Sequence, residues 1–300
     1  MNKRRSGQYI GMVIDDPLDP FTNLCFADDV SLVACSSMDV CKMITDLGRE
    51  AGKFGLKLHM GKTKVLTNCP VKRPLSITCC SQSVSVLDES QSERYLGRKL
   101  SCDSYHDTEL SNRIASGWSC FFKLKDALCD RRLLVRDRIK LFEASVTPCV
   151  LYACSTWTMT AHREQRLITT RRRMLRWMIN TPRAREEEWV DYIRRATHSS
   201  EELAASFGSI SWVVTQRERK WRYAGKAALQ NDRRWTRRLL GWRPWFRCWP
   251  RRLVGHPAKR WDDDLSSFAG GDWVNVAAHD ETWQAALCGF IDSTGSVWRS

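Results

Sequence analysis

Residues 21–35 read Phe-Thr-Asn-Leu-Cys-Phe-Ala-Asp-Asp-Val-Ser-Leu-Val-Ala-Cys. The runs Leu24 to Ala27 and Val30 to Ala34 are apolar and β-prone, and Asp28-Asp29 divides them. Two polar residues between two such runs predict a β-hairpin with the carboxylates at its turn and apolar, buried strands on either side. Charged side chains avoid such strands unless something needs them there. The pair is therefore either a plain Asp-rich turn or a rigid set of oxygen ligands for a hard divalent cation. A Phe/Tyr-x-Asp-Asp tetrad is expected about 0.08 times by chance in a chain of this composition, so the choice falls to the residues around it.

Working outward, residues 38–54 place apolar side chains at Val40/Cys41, Ile44, Leu47, Ala51 and Phe54, the spacing of an amphipathic helix. Ser36, Ser37 and Asp39 are candidate N-caps, and Gly55 follows the last apolar position. Leu56 to His59 and Lys64 to Leu66 read as short alternating strands, and residues 74–101 continue as β through Val84, Val86 and Leu87 to Tyr95-Leu96-Gly97. After about residue 105 the period becomes helical. Leu110 to Leu128, Leu133 to Val146 and Leu167 to Met178 each carry an apolar stripe, the last with Arg171-Arg172-Arg173 on another face, and a further helix is expected over 212–230. The uncharged stretch Ala144 to Ala161 holds Pro148 and six Ser/Thr, too polar for a membrane span, and reads as a buried helix end plus loop. Between 231 and 261 tryptophans alternate with arginines, either to stack bases or, the reading favoured here, as a small Trp-anchored core with an arginine coat. The expected architecture is an α+β part over 1–104, a helical part over 105–200 and a basic, Trp/Arg-rich helical region over 201–300.

Lys and Arg total 48 against 34 Asp and Glu, a net charge of +14, of which +11 lies after residue 100. A basic surface of that extent suits a polyanion, most often nucleic acid. Apolar residues at 43% are a globular value. Thirteen cysteines with irregular spacing and no C-x-x-C, in a chain whose N-terminus does not read as a signal peptide, are expected as reduced thiols in an intracellular protein, nuclear or cytoplasmic.

The order Phe26-Ala27-Asp28-Asp29, amphipathic helix, Gly55-Leu56-Lys57-Leu58 with Lys62-Thr63-Lys64, then Ser92-Glu93-Arg94-Tyr95-Leu96-Gly97 resembles the reverse transcriptase of non-LTR (LINE-type) retrotransposons. Phe26 to Asp29 is similar to the family's catalytic (F/Y)ADD hairpin. Gly55 to Lys64 is similar to the following GL-x-x-N-x-x-KT element, with His59 in the Asn position. Leu151-Tyr152, Trp157 and Arg172 to Arg176 resemble the helical thumb and its extension. Arg252 to Leu265 resembles the tail element R-x-x-G-R-P-x-x-R-W-x-D-D, with His256 in place of its second Arg.

The resemblance implies the C-terminal half of a reverse-transcriptase palm followed by a thumb and tail. It implies an enzyme class, RNA-directed DNA polymerase, with two-metal nucleotidyl transfer on Mg²⁺ or Mn²⁺. Asp28 and Asp29 would be the catalytic, metal-holding residues. Lys62 and Lys64 would sit near the deoxynucleoside triphosphate, and Tyr95, Leu96 and Gly97 near the primer end. Arg171, Arg172 and Arg173 would meet nucleic acid, the partners being an RNA template and a DNA primer, with no membrane; the oligomeric state is left open. The family's third carboxylate lies on an earlier strand. Asp16 to Phe21 fits its D-x₄-(F/Y) pattern but holds two prolines, which a central strand does not. The expectation is thus a truncated chain without fingers, inactive alone. The alternatives are a non-catalytic nucleic-acid-binding remnant and a helical interaction module. Gly61-Lys62-Thr63 lacks the glycine spacing of a P-loop. Asp262-Asp263-Asp264 reads as an acidic helix start pairing with Lys259 and Arg260.

Overall fold

The computed structural model describes residues 10–67, 76–79, 82–88, 91–101, 104–230, 234–240, 242 and 259–293. Two compact units form. One takes the described residues up to Tyr105 with those between 230 and 252, the other His106–Leu229 with those from 253 onward. This differs from the expected division at 200/201. That point lies inside a helix whose neighbours on both sides belong to the same unit, while the described residues between 230 and 252 belong to the first.

In the first unit the hairpin is present as β1 (Asn23–Phe26) and β2 (Asp29–Leu32), antiparallel, with Phe26 opposite Asp29. Helix α1 (Ser37–Gly52) starts where expected. Ser36 accepts the Asp39 amide at 3.2 Å and donates its hydroxyl to the Asp39 carboxylate at 2.8 Å, a reciprocal cap. Gly55, with φ +73°, turns the chain away after it. Next come β3 (Lys64–Val65), β4 (Ser76–Cys79) and β5 (Gln82–Val86), a sheet of order β3-β5-β4 in which only β3 runs parallel to β5. Ile44 of α1 packs with Ile77, Val84 and Val86. Leu56 to His59 is not a strand; it crosses as irregular chain, and Leu58 still contacts this core. A second hairpin, β6 (Ser92–Tyr95) with β7 (Arg98–Ser101), forms its own sheet. The short helix Trp235–Leu240 also belongs to this unit.

The second unit begins with α2 (Tyr105–Lys123), α3 (Lys125–Leu128), α4 (Val135–Val150), a 3₁₀ turn at Cys154–Thr156 and α5 (Ala161–Ile179). The uncharged stretch is a helix end plus loop, as read. Phe121, Phe142, Val146, Leu167, Met174 and Met178 are fully buried together. Arg138 is buried too, its guanidinium donating to the Met178 carbonyl at 2.6 Å, where the end of α5 is electron-rich. Gly117 lets α2 approach α4. A Cβ there would lie 2.3 Å from Val150 Cγ2. Gly117→Ala is therefore expected to cost about 1–3 kcal/mol by overpacking, read as a lower urea midpoint; an unchanged midpoint would show that the helices separate freely.

Then follow α6 (Trp189–Ser206), α7 (Trp212–Ala228), α8 (Trp235–Leu240), α9 (Asp263–Ala269), α10 (Trp273–Ala277), α11 (Asp280–Ala285) and α12 (Leu287–Ser293). Phe268 of α9, Trp283 of α11 and Phe290 of α12 pack on Trp221 of α7, and Trp273 of α10 packs on Trp283. The sequence reading did not anticipate α6, whose buried stripe is Ala196, Ser200 and Ala204, four apart but small and weakly apolar.

Candidate functional site

The turn of the first hairpin is Ala27-Asp28, one residue earlier than the sequence suggests, and Asp29 opens β2. Ala27 adopts φ +52°, the left-handed region a two-residue hairpin turn calls for. Both carboxylates are exposed. The expectation of buried strands around them is corrected: Phe26 is 63% exposed, and Leu24 and Val30 are exposed as well. The physical reason is that β1 and β2 pair only with each other, so nothing among the described residues covers the Leu24–Phe26 face. Among the described residues no group of three or more His, Cys, Asp or Glu side chains assembles as a metal site. Two solvated carboxylates are an incomplete donor set for a pair of Mg²⁺ ions, and no reaction step follows from them alone.

Asp15 and Asp19, beside the D-x₄-(F/Y) lookalike, hold an arginine. Arg238 Nε donates to both Asp15 oxygens at 2.8 and 2.9 Å, and its Nη1 to Asp19 at 2.6 Å. The same guanidinium lies 4.0 Å from the Trp235 ring, which packs on Phe21. The Arg238 hydrogen bonds hold the Asp15 carboxyl below its usual range. These carboxylates and one Trp/Arg pair of the basic stretch thus account for each other; Trp245, Trp249 and the arginines between 243 and 252 lie outside the described residues.

Lys62 and Lys64 are exposed. The Lys62 amide donates to His59 Nδ1 at 3.3 Å and to the His59 carbonyl at 2.9 Å, and the Thr63 hydroxyl donates to that carbonyl at 3.2 Å. Gly61-Lys62-Thr63 is therefore a turn closed on His59, and a strand follows it where a P-loop has a helix. Lys64 Nζ reaches Ser85 Oγ at 3.0 Å across the parallel pair. Leu96 and Gly97 form the turn of the second hairpin with φ +48° and +76°, the type I′ pattern, and Tyr95 is half-buried at its edge. The structure puts Asp28/Asp29, Lys64 and Tyr95-Leu96-Gly97 on three separate sheets of one unit.

The arginine run in α5 divides by helical angle. Arg171 shares the inward face with Met174, Leu175 and Met178 and donates to Ser209 Oγ at 2.5 Å; Glu143 stands 4.0 Å away. Burial pushes its guanidinium below the usual range. Arg171 is thereby removed from any contact with a nucleic-acid backbone. Arg172 pairs with Glu201 at 3.0 Å. Arg173 faces outward and lies over Trp118 and Trp177, 5.6 and 5.7 Å from their rings.

Asp263 begins α9, as an acidic helix start should, and accepts the Arg260 amide at 2.7 Å. The expected pairing with Lys259 and Arg260 side chains is replaced for Asp264. Its two oxygens each accept from Lys220 Nζ at 2.7 Å, and that ammonium also lies 5.2 Å from the Trp261 ring. Lys220 is almost wholly buried. Its role was not legible, since a lysine inside a basic helix looks like one more solvated charge.

No helix among the described residues is long and apolar enough to cross a membrane. The chain is similar to a transposon-derived protein. That relative, an uncharacterized transposon-derived protein of Caenorhabditis elegans, is 27% identical over 278 residues, which span 89% of this chain and 95% of the relative. No protein-family model and no solved structure matches the chain.

Proposed function

We propose that this chain is the palm-and-thumb portion of a non-LTR retrotransposon reverse transcriptase, serving to bind a DNA primer on an RNA template. The observation that carries the reading is the Phe26-Ala27-Asp28-Asp29 turn, with both carboxylates solvent-exposed at the tip of a two-residue hairpin. It stands in a chain similar to a transposon-derived protein, with a net charge of +14. Asp28 and Asp29 supply part of the carboxylate set that would hold Mg²⁺ or Mn²⁺, the cation that neutralises charge in nucleotidyl transfer. Lys62 and Lys64, exposed beside a short sheet, supply phosphate contacts. The incomplete donor set favours binding over turnover in the chain by itself.

Purified chain tested with RNA template, DNA primer, deoxynucleoside triphosphates and Mg²⁺ or Mn²⁺ decides the matter. Primer–template binding is expected, with affinity falling about tenfold or more between roughly 50 and 200 mM salt. Asp28→Ala is expected to leave that binding unchanged while abolishing whatever extension the wild type shows. Failure to bind at low salt overturns the reading, as does extension equal in wild type and Asp28→Ala.

A further inference from the structure

We infer that the seam between α2 and α5 carries a base-stacking platform for single-stranded nucleic acid, built on Trp177 and Phe122 and steered by Arg173. The inference rests on the nucleic-acid-binding reading above and assigns a site to it. Trp177 is 42% exposed and Phe122 51% exposed, although both are large rings at the rim of a well-packed helical core. Their centroids are 5.8 Å apart with planes at 71°, an edge-to-face pair whose remaining surface is exposed to a flat ligand. Trp118, half-buried beneath, touches both at 5.5 and 5.7 Å and fixes the pair from below. The rings are held by helix backbone on both sides, so they are ordered before any ligand arrives, which lowers the entropic cost of stacking.

Charge selects the occupant. Arg173 lies over both the Trp118 and Trp177 rings and forms no ion pair among the described residues. Its neighbours in the run are committed, Arg171 to Ser209 and Arg172 to Glu201. Exposed Lys123 follows Phe122 directly and exposed Lys125 stands two positions beyond it, and Arg131 is tied to the carbonyl of Asn180 just beyond α5. Of the acidic residues nearby, Asp130 is taken by Arg132 at 2.9 Å, leaving Asp126 against these cations. Exposed rings within reach of an unpaired arginine and two lysines fit a base with its phosphate, because every base has a π-face and every linkage an anion. A duplex keeps its bases stacked inside and offers this platform only backbone.

The test is equilibrium binding of the full chain to three probes at equal ionic strength: an oligothymidylate, an abasic deoxyribose-phosphate strand of equal length, and an RNA–DNA duplex. Wild type is expected to bind the oligothymidylate about tenfold more tightly than the abasic strand. Trp177→Ala and Phe122→Ala, both at exposed rings, are expected to erase that difference while leaving duplex binding within about twofold; circular dichroism checks that the helices persist, and Trp177→Phe is expected to retain most of the preference. Equal binding of the two single strands by wild type overturns the platform, as does a preference unaffected by either alanine. Self-association of the chain that depends on Trp177, without any change in oligothymidylate binding, assigns the rings to a protein interface and also overturns it. Loss of all three probes in wild type instead refutes the nucleic-acid reading itself.

Discussion

Asp264→Ala is expected to destabilise the helical unit by about 3–5 kcal/mol, because it leaves the buried Lys220 ammonium without its counterion. Lys220 Nζ has both Asp264 oxygens at 2.7 Å, and its side chain is 1% exposed against 13% for the carboxylate. Removing one partner costs far more than removing both, since a lone buried charge has no water to return to. The double change Lys220→Met with Asp264→Leu is therefore expected to be close to neutral in urea unfolding. An additive pair of losses would contradict this account. Burial pulls the Lys220 amine below its ordinary value of 10.5, opposed by Asp264. Between that lowered pKa and 10.5 the unfolded chain binds more protons than the folded one. Stability from this group thus rises with pH across that window and is lost as pH falls through the folded pKa. Lys220→Met should flatten that part of the pH profile.

Trp283→Ala is expected to cost a similar 3–5 kcal/mol, through a cavity rather than a charge. Trp283 and Trp221 stack with centroids 3.6 Å apart and planes at 6°, both fully buried. Each indole N–H donates to the other residue's backbone carbonyl, at 2.9 and 3.1 Å. Phe290 closes the stack at 4.6 Å from Trp221. Gly225 of α7 makes room, for a Cβ there would stand 2.7 Å from the Trp283 ring. The tail is held to α7 by this stack, so Trp283→Ala should also speed proteolysis within residues 259–293. A loss below about 1 kcal/mol would mean that the tail helices are fastened elsewhere.

Much of the local structure was legible. The Asp-Asp pair between two β-prone runs predicted the hairpin, and Ser36 and Gly55 marked the ends of α1 because capping depends on residues a few positions apart. The helical period from Leu167 to Met178 predicted α5, whose observed bounds reach further on the N-terminal side. It also contained the split within the arginine run, since Arg171 lies three and four residues from Met174 and Leu175, whereas Arg173 lies four from Trp177. Other readings failed where the local pattern was weak or a neighbour was needed: Leu56 to His59 alternates but forms no strand. Helix α6 was missed because small residues line its buried face. The strands of the hairpin were expected to be buried because they are apolar, yet burial needs a covering layer.

By itself, the sequence determined the first hairpin with Asp28-Asp29 at its end, helix α1 with its Ser36 cap, and the helical period of α5, for these follow from backbone preferences over a few residues. Tertiary structure alone decided which charges became structural. Asp264 meets Lys220 across 44 positions and Arg238 meets Asp15 across 223, and no local pattern encodes either. The reason is dielectric: a charge in water is nearly indifferent to its distant neighbours, and once packing removes the water a single partner dominates its energy.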